Sequence, residues 1–146
     1  MIRKITESDR AAYLAMARDF YHSPAVLHAV PDEHFERCFH EMMAGSPYLE
    51  GLIFEQDGAI AGYALLSKTY SQEAGGLCVW IEEIYVLPEL RKKGLDKAFF
   101  HALPRIIPAA RYRLEIEPDN TRAERLYRSM GFEPMLYRQL VMEGND

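Results

Sequence analysis

One eleven-residue segment constrains the fold of this chain more than any other. Leu77–Leu87 is dense in valine, tryptophan, isoleucine and tyrosine, the composition of a buried β-strand. Pro88 ends that strand, and a basic turn that runs from Arg91 to Gly94 follows it. A helical pattern begins directly after the turn. The segment therefore predicts a strand that leads through a tight turn into a helix.

The turn between this strand and helix has the chemistry of an anion site. A helix N-terminus presents unpaired backbone N–H groups and about half a positive charge, both of which favour phosphate. Arg91, Lys92, Lys93 and Lys97 add a positive field. The turn matches neither the P-loop pattern nor the three-glycine dinucleotide pattern. From this segment alone, a phosphate site and an ordinary solvated basic turn are equally good interpretations.

The rest of the chain predicts one domain of the α/β (α+β) class, a mixed sheet with helices. The sequence has 146 residues, 49% of them hydrophobic, and no linker or repeat divides residues 1–146. The predicted strands are Ile2–Ile5, Leu49–Glu55, Ile60–Thr69, Leu77–Leu87 and Arg111–Glu117, with one or two more in Phe132–Met142. The predicted helices are Arg10–Phe20, Glu33–Ala44, one within Leu90–Ile107 and one around Ala123–Met130.

Local signals refine these elements. Asp57-Gly58 predicts a hairpin turn, and Ser8 or Asp9 predicts the cap of the first helix. Pro104 predicts an early end or a kink in the third helix. Gly131 predicts the left-handed residue after the last helix.

Charge and composition exclude several classes of partner. The net charge is −5, which disfavours nucleic acid. No secretory h-region is present, and the longest run without charged residues, Tyr21–Pro31, is too short to span a membrane. We therefore expect a cytoplasmic protein. Cys38 and Cys78 lack metal-binding spacing, so we expect two buried thiols and no metal.

The basic turn and a later segment together resemble the acetyl-CoA-binding region of the GNAT superfamily of N-acetyltransferases. The run from Arg91 to Asp96 matches the first and fourth positions of Arg/Gln-x-x-Gly-x-Gly/Ala. Residues 120–132 match every anchor of the pattern N-x-x-A-x-x-L-Y-x-x-x-G-F. The order of the earlier elements agrees as well. The resemblance implies a GNAT-like mixed, mostly antiparallel central sheet that is flanked by about four helices.

The resemblance also implies acetyl-CoA as co-substrate. In the family, amides of the turn hold the pyrophosphate and the preceding strand pairs with pantetheine, while Asn120 corresponds to a pantetheine contact. Tyr127 corresponds to the phenol that protonates the departing thiolate, with a core aromatic as the alternative. The implied cofactor-binding residues are Tyr85, Val86, Arg91, Lys92, Lys93, Gly94, Leu95, Asp96, Lys97, Asn120, Ala123 and Tyr127.

Asp96 departs from the family pattern, which has glycine or alanine at this position. A carboxylate about 4 Å from a phosphate repels it by ~1 kcal/mol in water and by ~4 kcal/mol at an effective dielectric constant near 20. Asp96 can also cap its own helix and occupy N–H groups that phosphate needs. Neighbouring lysines offset this charge, and we expect acetyl-CoA binding to persist.

Two adjacent acids interrupt the apolar strand. Acyl transfer to an amine needs a base, and Glu82 and Glu83 are candidates. Strict alternation places them on opposite faces, Glu83 together with Ile81 and Tyr85. The pair is similar to the Glu-Asp pair of polyamine-type GNAT enzymes, which implies Glu82 as the base and Glu83 as a substrate contact.

Two alternatives stay open for these acids and for the nearby aromatic residues. If Glu82 and Glu83 have no catalytic role, they are either exposed acids at the end of the strand or partners of Arg111 or Arg113. Aromatic strand residues either line a cation-binding acceptor cleft or, more commonly, form core. The aromatic residues in question are Tyr63, Tyr70, Trp80 and Tyr85.

The leading functional prediction is an acetyl-CoA-dependent N-acetyltransferase. Its acceptor is a primary amine of a small, cationic molecule that attacks the thioester directly. The alternative is a non-catalytic acyl-CoA-binding or regulatory domain of the same fold, which Asp96 favours. The apolar segment Met135–Met142 predicts a homodimer.

Overall fold

A five-stranded sheet forms the framework, with two helices between its first and second strands, one crossover helix before its last strand and one helix after it. The computed structural model describes residues 1–24 and 26–145; Ala25, in the predicted loop after the first helix, and Asp146 lie outside the described residues. The strands are β1 (Ile2–Lys4), β2 (Leu49–Gln56), β3 (Ala59–Ser71), β4 (Gly76–Val86) and β5 (Arg111–Leu114). The helices are α1 (Arg10–Tyr21), α2 (Asp32–Met43), α3 (Leu95–Ile106) and α4 (Thr121–Ser129). No helix among the described residues is long and apolar enough to cross a membrane.

The strands lie in the order β1-β2-β3-β4-β5. The first three pairings are antiparallel, and β4 pairs with β5 in parallel through the α3 crossover. Asp57 and Gly58 form the β2–β3 turn with φ values of 54° and 79°, the left-handed geometry of a tight hairpin. The mixed, mostly antiparallel sheet that the resemblance implied is confirmed.

Each face of the sheet carries its own hydrophobic core. Because side chains alternate along β2, the neighbours Ile53 and Phe54 enter different cores. On one face Ile53 joins Tyr13 of α1 and Phe39 of α2. On the other face Phe54 lies against Phe99 of α3, with ring centres 5.4 Å apart. The sheet is therefore covered on both faces.

Two local predictions about helix ends are wrong. Pro104 lies inside α3, which continues to Ile106, because a proline in the last turn removes a single helical hydrogen bond. Ile107 N–H still donates to the Leu103 carbonyl, at 2.8 Å. Asp9 forms no side-chain cap on α1. Its carboxylate instead binds the Arg3 guanidinium at 2.8 and 2.9 Å, which lowers the pKa of Asp9 to about 2.

The predicted closing strands are also wrong. Residues 132–145 contain neither helix nor strand. We call Met135–Met142 the C-terminal arm; within it, Leu136 and Leu140 are each 96% exposed. β5 is shorter than predicted and forms the free edge of the sheet. The apolar pattern of the arm predicted a strand, but among the described residues the arm pairs with no strand of the sheet.

Candidate active site

A bulge in β4 places the two adjacent carboxylates on the same side of the sheet. Leu66 pairs with Ile81 and Leu65 pairs with Glu83, so Glu82 is an extra residue in β4. Ile81 packs on the α3 face, whereas Glu82 and Glu83 both line a cavity on the α1 and α2 face. The prediction that the two acids face opposite sides is therefore wrong, because strict alternation holds only in a strand without a bulge.

Glu83 is a buried carboxylate that two phenols hold. The hydroxyls of Tyr21 and Tyr63 each donate a hydrogen bond of 2.6 Å, one to each carboxylate oxygen. Burial raises the pKa of Glu83, the negative charge of Glu82 adds to this effect, and the two hydrogen bonds oppose it. Glu83 therefore holds its proton to a higher pH than an exposed glutamate does.

Glu82 lies at the exposed side of the same cavity. Ser67 Oγ donates to Glu82 Oε1 at 2.6 Å. Among the described residues no group donates to Oε2. Glu82 thus has one oxygen held in place and a second oxygen open to a ligand.

The two arginines that sequence analysis considered as partners of these acids interact elsewhere. Arg111 pairs with Glu73 at 2.8 Å. Arg113 stacks on the Trp80 ring, with its guanidinium carbon 4.0 Å from the ring centre. The alternative in which arginines neutralise Glu82 or Glu83 is therefore wrong.

A gap opens between β4 and β5 directly after the bulge. The parallel pairing ends at Ile81 and Leu114, while β4 continues to Val86. The Leu87 N–H donates to the Ala61 carbonyl of β3. Because successive residues of a strand direct their backbone polar groups to opposite sides, the N–H and C=O of Val86 point toward the gap. Arg91 Nε donates to the Val86 carbonyl at 2.8 Å. In this gap the Val86 N–H is therefore available for backbone pairing, whereas the Val86 carbonyl is bound by Arg91.

The basic turn lies at the far end of this edge and leads into α3. Lys92 and Gly94 have φ values of 65° and 81°, so the turn passes twice through the left-handed region. An added Cβ at Gly94 meets no atom within 4 Å, which leaves the backbone open on that side. Among the described residues Lys92, Lys93 and Lys97 enter no ion pair. Free first-turn amides, an open backbone and uncommitted lysines fit a pyrophosphate group.

Asp96 occupies one of the amides at the start of α3. Its Oδ1 accepts from Lys97 N–H at 2.8 Å. Gly94 is the N-cap of α3, which has no side-chain cap, so the prediction that Asp96 caps its own helix is wrong, although its carboxylate does occupy one N–H group of the first turn. The backbone amides of Lys93, Gly94 and Leu95 come before Asp96 in the chain, and the Asp96 carboxylate does not bond to them.

Tyr127 combines a packed ring with a neutral hydroxyl. Its ring lies edge-on to Phe100 and Phe132, with ring centres 5.5 and 6.1 Å away. Burial, followed by the charge of Asp96, raises the pKa of Tyr127. The phenol therefore stays protonated and able to donate. Its core on the α3 face lies across the sheet from Glu82.

Asn120 serves as the cap of α4. Its Oδ1 accepts from Ala123 N–H at 3.1 Å, so only its amide nitrogen is free for another contact. Ala123 is part of this cap through its backbone. The structure thus assigns both residues a local structural role in starting the helix that carries Tyr127.

Family comparison identifies the architecture. A model of the "Acetyltransferase (GNAT) family" matches residues 11–132 of this chain. The chain belongs to the GNAT acetyltransferase family. The matched range contains every residue considered above for the site, from Glu82 to Tyr127.

Solved structures share this GNAT fold at low sequence identity. A possible acetyltransferase from Clostridium difficile 630 has a TM-score of 0.85 and 16% identity, with 100% of this chain and 98% of that chain covered. The aminoglycoside N-acetyltransferase AAC(6')-Iy in complex with CoA has a TM-score of 0.77 and 20% identity, with coverages of 100% and 95%. A ribosomal-protein-alanine N-acetyltransferase from Brucella melitensis biovar Abortus 2308 has a TM-score of 0.76 and 16% identity, with 99% coverage of both chains. No curated protein sequence matches this chain.

Sequence reasoning missed two residues of this candidate site, Tyr21 and Ser67, and it missed that Tyr63 is a buried hydrogen-bond partner of Glu83. Tyr21 is 62 positions from Glu83 in sequence, and no local motif connects them. Of the aromatic residues considered for an acceptor cleft, Tyr63 and Tyr85 are buried and Trp80 stacks on Arg113. Tyr70 is 81% exposed near the end of β3 and does not line the cavity.

Proposed function

We propose that this GNAT protein transfers the acetyl group of acetyl-CoA to a primary amine of a small, cationic acceptor. One observation carries the proposal: β4 has an uncovered edge that runs from the carboxylates at its bulge to the basic turn before α3. Such an edge offers backbone pairing to an extended ligand whose phosphates lie at the turn and whose thioester lies at the bulge.

The turn and the strand edge supply the binding groups. Backbone amides of Lys93, Gly94 and Leu95, with the nearby lysines, would hold the pyrophosphate. The N–H of Val86 would pair with pantetheine, and Arg91 would release the Val86 carbonyl that it now binds. The thioester supplies an activated acyl carbon, and the residues around it do the remaining work.

Proton transfer falls to groups on opposite faces of the sheet. Glu82 accepts the proton of the bound ammonium through its open Oε2, or through a water held there, which leaves an amine able to attack the thioester carbon. The new C–N bond forms and the C–S bond breaks as the phenol of Tyr127 gives its proton to the sulfur. The nitrogen loses a second proton when it becomes an amide, and that proton passes through solvent to the Tyr127 phenolate, which restores the phenol. Glu83 lines the same cavity and, when it is ionised, adds negative charge that favours an ammonium there.

Direct attack agrees with the state of the cysteines. Cys38 lines the cavity, but burial raises the pKa of its thiol, which keeps it protonated and a poor nucleophile. Cys78 is 1% exposed. A covalent acyl-cysteine intermediate therefore has no activated thiol to form on.

A non-catalytic acyl-CoA-binding domain is the second candidate, and the bond between Asp96 and Lys97 N–H favours it. Calorimetric titration of acetyl-CoA into the wild type and Asp96→Gly, together with an assay of CoA thiol release in the presence of amines, separates the candidates. Micromolar affinity, about −8 kcal/mol, with amine-dependent thiol release supports the enzyme.

Binding without release from any amine supports the second candidate. Absence of binding to the wild type with recovery in Asp96→Gly would show that this carboxylate disables the turn. The matched control is Asp57→Gly, which makes the same change in the β2–β3 hairpin, where the backbone φ of 54° already suits glycine.

We also propose a homodimer in which the C-terminal arm of one copy pairs with the free edge of β5 in the other. Exposed apolar side chains on an extended arm and an uncovered edge strand support this proposal. A cavity of about 960 Å³ lies between β5, which contributes Tyr112 and Leu114, and this copy's own arm, which contributes Met135 and Tyr137; apolar residues of the partner's arm would enter it.

A further inference from the structure

The cavity under the β4 bulge has mainly apolar walls. Its volume is about 320 Å³, at the small end of the range of about 300–1,000 Å³ for ligand pockets. Helices α1 and α2, with Val30 between them, form one side, and β2, β3 and β4 form the other. Val30, Phe35, Leu49 and Leu65 contribute apolar surface, and the rings of Tyr13 and Tyr21 contribute aromatic surface.

The negative charge of the cavity is concentrated at one end. Among the described residues that line it, Glu82 and Glu83 of β4 are the acidic ones and His34 of α2 is the basic one; no lysine or arginine lines it. Both oxygens of Glu83 already accept hydrogen bonds from phenols, whereas Glu82 has one open oxygen. The cavity can therefore satisfy one ammonium directly.

A polycation suits this cavity poorly. With one ammonium at Glu82, a further ammonium finds only Glu83 as a second acidic group, and both oxygens of Glu83 already accept from phenols. The other lining residues carry no negative charge to pair with it, and an unpaired charge is costly to bury. An apolar or aromatic body instead buries its surface against the same walls. The ring faces of Tyr13 and Tyr21 provide additional contact for such a body.

We propose that the acceptor is a small primary amine with a single positive charge on an apolar or aromatic body. Its ammonium lies at Glu82 beside the gap between β4 and β5, and its body lies between α2 and the sheet. This assignment rests on the proposed acetyl transfer. The proposed acceptor has one positive charge, unlike the neamine analogue in one structural neighbour, "AAC(6')-Iy in complex with bisubstrate analog CoA-S- monomethyl-acetylneamine".

Affinity and turnover are measured separately, so that the two proposals fail in different ways. Calorimetric titration with 2-phenylethylamine, spermidine and neamine reports which amine the cavity binds, whether or not acetyl transfer occurs. We expect 2-phenylethylamine to bind at least tenfold more tightly than either polyamine and, with acetyl-CoA present, to give the highest kcat/KM. Equal or tighter binding of spermidine or neamine would overturn the assignment. Binding of 2-phenylethylamine without thiol release would overturn the proposed transfer alone.

A second carboxylate in the cavity should change this preference. Leu49→Glu adds a charge on the β2 wall, and we expect the ratio of spermidine to 2-phenylethylamine affinity to rise at least tenfold. Val30→Glu, outside the helices and strands, makes the same test if Leu49→Glu fails to fold. Tyr70→Glu, at an exposed position away from the cavity, adds the same charge and should leave the ratio unchanged. An unchanged ratio in a folded Leu49→Glu or Val30→Glu variant would contradict the proposal.

Discussion

At the residue scale, the adjacent carboxylates of Glu82 and Glu83 differ in exposure and in hydrogen bonding. Glu83 is 6% exposed and both its oxygens are engaged, whereas Glu82 is exposed and has one open oxygen. The bulge produces this difference, since it turns both side chains to one face but leaves only Glu83 between the two phenols. Glu82 alone of the two therefore has an oxygen that accepts no hydrogen bond among the described residues, which is the basis for proposing it as the base.

Replacing Glu82 by glutamine tests this difference. The amide oxygen of glutamine can still accept from Ser67, so the local geometry is retained while the base is lost. We expect kcat to fall by about 10²-fold or more, the usual contribution of a general base. Calorimetry should show unchanged acetyl-CoA affinity.

The matched control for this experiment is Glu73→Gln. Glu73 is an exposed carboxylate that pairs with Arg111 outside the cavity, so its loss should leave kcat unchanged. Full activity in Glu82→Gln together with inactivity in Glu83→Gln would transfer the role of base to Glu83.

At the element scale, the pairing of β3 with β4 sets both the bulge and the edge that faces the gap. Gly62 lies opposite Val86 in this pair. A Cβ at Gly62 would lie 2.1 Å from the Tyr85 carbonyl oxygen and 3.0 Å from the Val86 Cα. Glycine is therefore required here for the close approach of two backbones, directly behind the strand edge proposed to bind pantetheine.

Gly62→Ala should separate the two strands. Since the contact is with backbone, neither strand can relieve it by a rotamer change, and we expect a loss of about 1–3 kcal/mol in the free energy of unfolding. Urea denaturation measures this loss, and acetyl-CoA affinity should fall with it. Gly144→Ala is the control, because a Cβ there meets no atom within 4 Å. An unchanged urea midpoint for Gly62→Ala would refute this account of the pairing.

At the scale of the whole molecule, the sheet ends on an open edge and the chain ends on an apolar arm. Val141 and Met142 are 84% and 93% exposed, in addition to the two leucines of the arm. An exposed apolar patch beside an unpaired strand edge usually marks an interface. A second copy of the chain has the same free β5 edge and the same apolar arm. In a symmetric dimer the arm of each copy would therefore cover the β5 edge of the other.

Charging the arm should therefore dissociate the protein. We expect sedimentation to show a dimer for the wild type at micromolar concentration and a monomer for the double variant Leu136→Asp with Leu140→Asp. Leu27→Asp, a 69% exposed leucine outside the arm, should remain dimeric. A wild-type chain that sediments as a monomer would contradict the dimer.

The sequence by itself determined most elements and the family, because periodicity, turn residues and the two GNAT motifs are local. Its prediction for α2 is confirmed within one residue at each end, and Gly131 has the predicted left-handed conformation, with φ 101°. The tertiary structure alone decided the bulge at Glu82, the phenols on Glu83 and the unpaired arm. These features depend on strand register and on residues as far as 62 positions apart, and no local pattern encodes which partner a strand edge or a buried carboxylate finds.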